Sequence, residues 1–145
     1  STLSNHEAVE RFVNKLTPML KTAKEYNINF SLETDLNPKS FVKLLDQFNS
    51  DCISVNYDIG NSASLGYDSV EELDAYGEKI TDIHIKDRKL NGGSVVLGDG
   101  DADFDRFFNK LKEFNYKGPF IMQAYRDDDG VDIFKAQLDW IERYF

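Results

Sequence analysis

The stretch TDIHIKDR, residues 81–88, sets a histidine between two isoleucines, with a lysine and an aspartate close behind. Successive side chains of a strand point to opposite faces. Ile83 and Ile85 therefore share one face, and Asp82, His84 and Lys86 share the other. The same two-sided pattern recurs upstream. In CISVNYD (52–58), Ile53, Val55 and Tyr57 oppose Ser54, Asn56 and Asp58; in INFSLET (28–34), Phe30 and Leu32 oppose Ser31 and Glu33. GPFIMQAY (118–125) reads as a fourth strand. Strands of an open doubly wound sheet are buried on both faces and read as near-continuous apolar runs. These strands are apolar on one face only. They fit a barrel wall that packs on helices outside and surrounds a polar site inside.

Helical patterns separate the strands. From Asn5 to Tyr26, Val9, Phe12, Val13 and Leu16 repeat at helical spacing, and Thr17-Pro18 predicts a break with Thr17 capping a second helix. In NPKSFVKLLDQF, Asn37 is a cap and Phe41, Leu44, Leu45 and Phe48 form an apolar stripe. SVEELDAYGEKI opens with Ser69 and Glu72 at capping-box spacing. A glycine-containing loop from Arg88 to Asp101 leads to DFDRFFNKLKEF, and VDIFKAQLDWIERYF closes the chain. One helix followed by four strand–helix units predicts a parallel sheet with right-handed crossovers.

The 145 residues suit one domain, but a (β/α)8 barrel takes about 250 residues. Four units make half a barrel, with two bare sheet edges. The expected fold is α/β: the C-terminal half of a TIM barrel, a single domain over 1–145 and a fragment of a longer chain. The net charge of −9 argues against nucleic-acid or anionic-membrane partners, which need a basic face. No apolar run approaches the roughly 20 residues of a membrane span, and no signal peptide is visible. The lone cysteine, Cys52, has no internal partner for a disulfide, which fits a cytoplasmic setting. His6, near the terminus, reads as surface.

The polar face ends, strand by strand, in Glu33, Asp58, His84 and Gln123. All four fall at the C-terminal mouth, where TIM-barrel enzymes place their sites. Taken singly, each has a structural explanation: a satisfied histidine, a helix cap, a salt-bridge partner. Together, two carboxylates, an imidazole and an amide oxygen make a divalent-metal set for Zn²⁺, Mn²⁺ or Co²⁺, with little selection among them. Lys86, Arg88 and Arg126 are the cations nearest the strand ends, placed to hold a phosphate or hydroxyls; the alternative is that Lys86 pairs with Asp87, Asp58 or Glu33 and the two arginines are solvated rim. Gly98 and Gly100 would let backbone N–H groups approach an anion, but Asp99, Asp101 and Asp103 around them argue against that. Asp127–Asp129 reads as a solvated turn before the last helix.

YDIGNSASLGYDSVEEL, ITDIHIKDR, VVLGDGDADFDRFFNKLKEFNYKGPFIMQAYR and QLDWIERYF resemble, in that order, the C-terminal half of the xylose-isomerase-like TIM barrels. More narrowly they resemble sugar-phosphate isomerase/epimerases of the L-ribulose/L-xylulose 5-phosphate 3-epimerase type. The resemblance implies a divalent metal (Zn, Mn, Co or Mg) and a sugar or sugar-phosphate substrate. It implies Glu33, Asp58 and His84 as ligands, with Glu33 also the catalytic base. Asn61 stands where relatives often carry a substrate-touching histidine. Gln123 departs from the pattern, which has glutamate there as fourth ligand and second base. Glutamine ligates through oxygen but is no base at neutral pH, so the departure weakens a two-base epimerase mechanism.

The leading expectation is a metal-dependent sugar or sugar-phosphate isomerase/epimerase, inactive as this chain alone and completed by a homo-oligomer or a complementing N-terminal half. The alternatives are a metal-dependent dehydratase or lyase, which needs one base, and a catalytically inactive half-barrel that self-associates.

Overall fold

A computed structural model describes residue 3 and residues 5–145. Helix α1 (His6–Glu25) precedes strand β1 (Phe30–Leu32) and helix α2 (Pro38–Leu45). Strand β2 (Ile53–Asp58) runs into two helices, α3 (Ile59–Leu65) and α4 (Ser69–Tyr76). Strand β3 (Ile80–Ile85) is followed by a small antiparallel pair, β4 (Asp87–Arg88) and β5 (Ser94–Val95). Helix α5 (Phe104–Leu111), strand β6 (Phe120–Met122) and helix α6 (Val131–Ile141) complete the order. The main sheet is parallel, in the order β1-β2-β3-β6. Among the described residues no helix is long and apolar enough to cross a membrane.

The two-faced strands behave as their alternation requires. Val55, Tyr57, Ile83 and Ile85 are buried against α2, α4 and α5, whose Phe41, Leu44, Leu73 and Phe107 form the core. Tyr57 stacks on Phe107 at 5.1 Å between ring centroids. The opposite face carries Ser31, Glu33, Asn56, Asp82 and His84, with Ile121 still 43% exposed. Register shifts between β2 and β3, where Thr81 is an extra residue: Val55 faces Ile80, but the next residue, Asn56, faces Asp82. This bulge brings Thr81 and Asp82 together onto Ser31, at 3.1 and 2.5 Å. Beyond it, Asp58 and His84 are direct partners.

Two local expectations are corrected. The break at Thr17-Pro18 does not form; α1 continues through Pro18. Proline removes one N–H from the ladder, but Ala8, Leu16, Leu20 and Ala23 lie buried along one face on both sides of it, and packing holds the helix. The Thr17 hydroxyl turns back to Val13 O at 2.7 Å instead of capping. The cap of α4 is Asp68, which accepts from Val70 N and Glu71 N, so Ser69 is the first helical residue and not the cap.

Glu72, freed from the capping role, is buried at 3% exposure. It accepts from Tyr57 Oη at 2.7 Å, Tyr76 Oη at 2.9 Å and Ser62 Oγ, tying α4 to β2 and α3. Burial outweighs these donors and raises its pKa above the ordinary carboxylate value. The folded chain thus holds the Glu72 proton more tightly than the unfolded one. That contribution to stability is fully present below the ordinary carboxylate pKa and is lost as pH rises through the raised one. Unfolding curves taken across this range should show a shallower pH-dependent loss for Glu72→Gln than for the unaltered chain. Parallel curves would refute the assignment.

Candidate functional site

The C-terminal ends of β1, β2 and β3 bring Glu33, Asp58 and His84 together. Each offers one ligand atom, and these atoms all lie within 4.8 Å of one another. His84 Nδ1 is 3.7 Å from Glu33 Oε2 and 3.9 Å from Asp58 Oδ2. These separations are too long for hydrogen bonds and leave room for an ion between the atoms. Asp58 Oδ2 and His84 Nδ1 are both buried without a hydrogen-bond partner. Buried polar atoms are nearly always hydrogen-bonded, so two converging atoms without such a partner, a carboxylate oxygen and an imidazole nitrogen, fit a cation. A shell of two carboxylates and one imidazole suits a divalent ion of the Zn²⁺, Mn²⁺ or Co²⁺ type.

Asp58 also caps α3, accepting from Asn61 N at 2.7 Å. That explains why the strand ends there and why α3 begins at once. Burial raises the pKa of Asp58; the Asn61 N–H, Lys86 and His84 pull the other way, while Glu33 adds to the rise. Asn61 does more than follow a cap. Its Nδ2 donates to Glu33 Oε1 at 2.7 Å, and its Oδ1 accepts from Arg88 Nη1 at 2.8 Å. Arg88 is itself held by Gly92 O at 2.7 and 3.0 Å. Glu33 is therefore aimed by a chain running Gly92–Arg88–Asn61.

Gln123 is joined to the cluster through Lys86. Its Oε1 accepts from Lys86 Nζ at 3.2 Å, and the same ammonium stands 3.5 Å from Asp58 Oδ2. Of the pairings open to Lys86, the one with Asp58 is realised. Lys86, Gln123 and the exposed Arg126 line a cleft of about 660 Å³ with Ser94 and Phe134, a volume that suits a small polar ligand. His6 is exposed beside Glu10, 3.2 Å away, far down the chain from this site. Asp127 Oδ1 accepts from Asp129 N at 2.9 Å in the exposed turn before α6.

Several residues that shape the site carried little signal in the sequence. Asp87 is buried at 1% exposure and gathers four backbone N–H groups, from Arg88, Gly98, Gly100 and Ala102. The anion at Gly98 and Gly100 is thus the chain's own carboxylate. Gln137, fully buried on α6, accepts from Leu97 N at 3.2 Å and donates to Tyr125 O at 2.8 Å, joining the glycine loop to the segment after Gln123. Asn56 touches both Glu33 and His84. Its place on the polar face followed from alternation, but its contacts did not.

Comparison with known proteins agrees with this architecture. A family model described as xylose isomerase-like TIM barrel matches residues 2–144. L-ribulose-5-phosphate 3-epimerase UlaE of Escherichia coli O1:K1 is 29% identical over 148 residues, covering 96% of this chain and 52% of that protein. The crystal structure of a xylose isomerase domain protein from Planctomyces limnophilus superposes with a TM-score of 0.83 at 21% identity, over 97% of this chain and 55% of that one. The IOLI protein with a binding zinc atom gives 0.77 at 21% identity, over 96% and 58%. The chain spans about half the length of the relatives it matches, and its four parallel strands are the half-barrel that this coverage implies. It belongs to the xylose isomerase-like TIM barrel family.

Proposed function

We propose that this chain carries the metal-binding half of a sugar or sugar-phosphate isomerase/epimerase that works by proton abstraction next to a carbonyl. The observation that carries the reading is the convergence of Glu33, Asp58 and His84, two of whose ligand atoms are buried without a hydrogen-bond partner. UlaE, its relative, is named an L-ribulose-5-phosphate 3-epimerase. Glu33, Asp58 and His84 hold the ion, with Gln123 Oε1 as a fourth, neutral donor. When bound, a divalent cation supplies Lewis-acid stabilisation of negative charge developing on the substrate oxygens.

Glu33 takes the proton. Asn61 and Arg88 fix its Oε1 and so orient the carboxylate. Lys86 and Arg126, on the cleft beside Gln123, bind the anionic or hydroxylated end of the substrate. Residues 1–145 form one half-barrel domain of a larger unit, and a complementing half or a second copy supplies the other wall of the pocket. The chain alone is then inactive. Glu33→Gln in the completed protein should lower deuterium incorporation from D₂O into a ketose or ketose phosphate by about 10²–10⁴-fold. Unchanged incorporation would remove Glu33 from the chemistry, and no incorporation by the unaltered protein with any pentulose or hexulose phosphate would point away from enolisation.

The neutral Gln123 favours a second reading, a metal-dependent dehydratase or lyase, because such a reaction needs only the Glu33 base. Appearance of a dehydrated product in place of an epimer would select it.

A further inference from the structure

Asn56 has no part in the chemistry described above, yet its amide lies against two of the three ligands. Its Nδ2 is 3.1 Å from Glu33 Oε2 and 3.2 Å from His84 Nε2. Its Oδ1 is buried with no hydrogen-bond partner. The other ring nitrogen, Nδ1, is the one turned toward Glu33 Oε2 and Asp58 Oδ2, and it too is unpaired.

A neutral imidazole has one protonated and one bare nitrogen. What Asn56 presents to Nε2 therefore decides the state of Nδ1. With Nδ2 donating, Nε2 is bare and Nδ1 carries the proton, so Nδ1 has no lone pair to offer. With the amide turned over, Oδ1 accepts from Nε2–H and Nδ1 is left bare, facing the carboxylates. The same half-turn puts Oδ1 in place of Nδ2 beside Glu33 Oε2, so that oxygen loses its donor and a cation is needed to hold the two acceptors side by side. A metal-ligating histidine almost always donates its other N–H to a fixed acceptor, and the Asn56 amide is within reach of Nε2.

We propose that Asn56 is a positioning residue that sets the tautomer of His84: its amide, by turning, converts Nδ1 from a donor into a ligand and frees Glu33 Oε2 in the same movement. This rests on the metal reading of the same site. The alternation of β2 accounts for its place, on the inner face two residues before Asp58.

The test uses Zn²⁺ itself. The chain has two histidines, so His6→Gln leaves His84 as its single imidazole for ¹⁵N spectroscopy. In the Zn²⁺-loaded protein at about pH 8, above the ordinary imidazole pKa, the proton is expected on Nε2 and the metal on Nδ1. Asn56→Leu, similar in size but without an acceptor, should weaken Zn²⁺ binding by about 10–100-fold. Asn56→Asp, which keeps an acceptor oxygen, should hold the affinity within about tenfold of the unaltered chain, an outcome that a packing role alone would not give. The proposal is overturned if Asn56→Leu binds as the unaltered chain does, if Leu and Asp weaken binding equally, or if the loaded ring carries its proton on Nδ1. Absence of Zn²⁺ uptake by the unaltered chain overturns the metal reading itself, and this proposal with it.

Discussion

His84→Ala is expected to abolish stoichiometric divalent-cation uptake by this chain, with a loss of affinity greater than about 100-fold. Removing even an outer partner of a metal ligand costs about 10–100-fold, and His84 supplies one of three ligand atoms that lie within 4.8 Å of each other. The two remaining carboxylates would be poorly placed to compensate. Asp58 has one oxygen committed to the N-terminus of α3 and shares the other with Lys86. Glu33 has one oxygen committed to Asn61. Without the imidazole, each has one oxygen left for an ion, and both are already engaged: Lys86 partly neutralises that of Asp58, and Asn56 Nδ2 donates to that of Glu33. The fold should tolerate the change, because His84 sits on the open inner face and not in the core. Equilibrium dialysis against Zn²⁺ or Mn²⁺ with elemental analysis, paired with a thermal unfolding curve, separates the two effects. Equal metal content in the two proteins, with both folded, would rule out the assigned centre.

The sequence made the inner and outer faces of the sheet legible because burial acts separately on each strand face. An apolar residue at every second position is enough to orient the strand, and parity then carries Glu33, Asp58 and His84 to one mouth. Features that depend on contacts distant in sequence were not legible. Helix α3 is short and holds Ser62 and Ser64 among its buried residues, so its start is dictated by the Asp58 cap and not by an apolar stripe. The capping-box spacing of Ser69 and Glu72 was real but outcompeted: Asp68 takes the cap, and the Glu72 carboxylate finds three hydroxyl donors brought from β2, α3 and α4. The bulge at Thr81 leaves no local mark, because an extra residue in one strand is defined only against its neighbour. The same holds for Asn56: alternation gives its face, but only the register of β1, β2 and β3 sets its amide between Glu33 and His84.

Asp87→Ala is expected to be the most destabilising single change among these residues, by about 3–5 kcal/mol, because several buried backbone N–H groups lose a charged acceptor at once. Total stabilities of single domains run about 5–15 kcal/mol, so the effect is a large share of the whole. The carboxylate is buried at 1% exposure. Its Oδ1 accepts from Arg88 N at 2.9 Å and Ala102 N at 3.2 Å, and its Oδ2 from Gly98 N and Gly100 N, both at 2.9 Å. Alanine would leave those four N–H groups without their acceptor, at about 1–3 kcal/mol for each that water cannot reach. Asp87→Asn should also fail to restore the loop, since an amide NH₂ would face two of the donors. Glycine at 100 is part of the same construction. A Cβ there would lie 1.9 Å from Asp87 Oδ1, so Gly100→Ala should loosen the loop by driving a methyl into the carboxylate while Asp87 itself is retained. Because Arg88 follows Asp87 directly and reaches Glu33 through Asn61, slackening the loop should also release Glu33. Urea unfolding of Asp87→Ala, Asp87→Asn and Gly100→Ala measures the effect. A loss below about 1 kcal/mol for Asp87→Ala, no more than one ordinary hydrogen bond contributes, would mean that the loop holds its shape without the carboxylate at its centre.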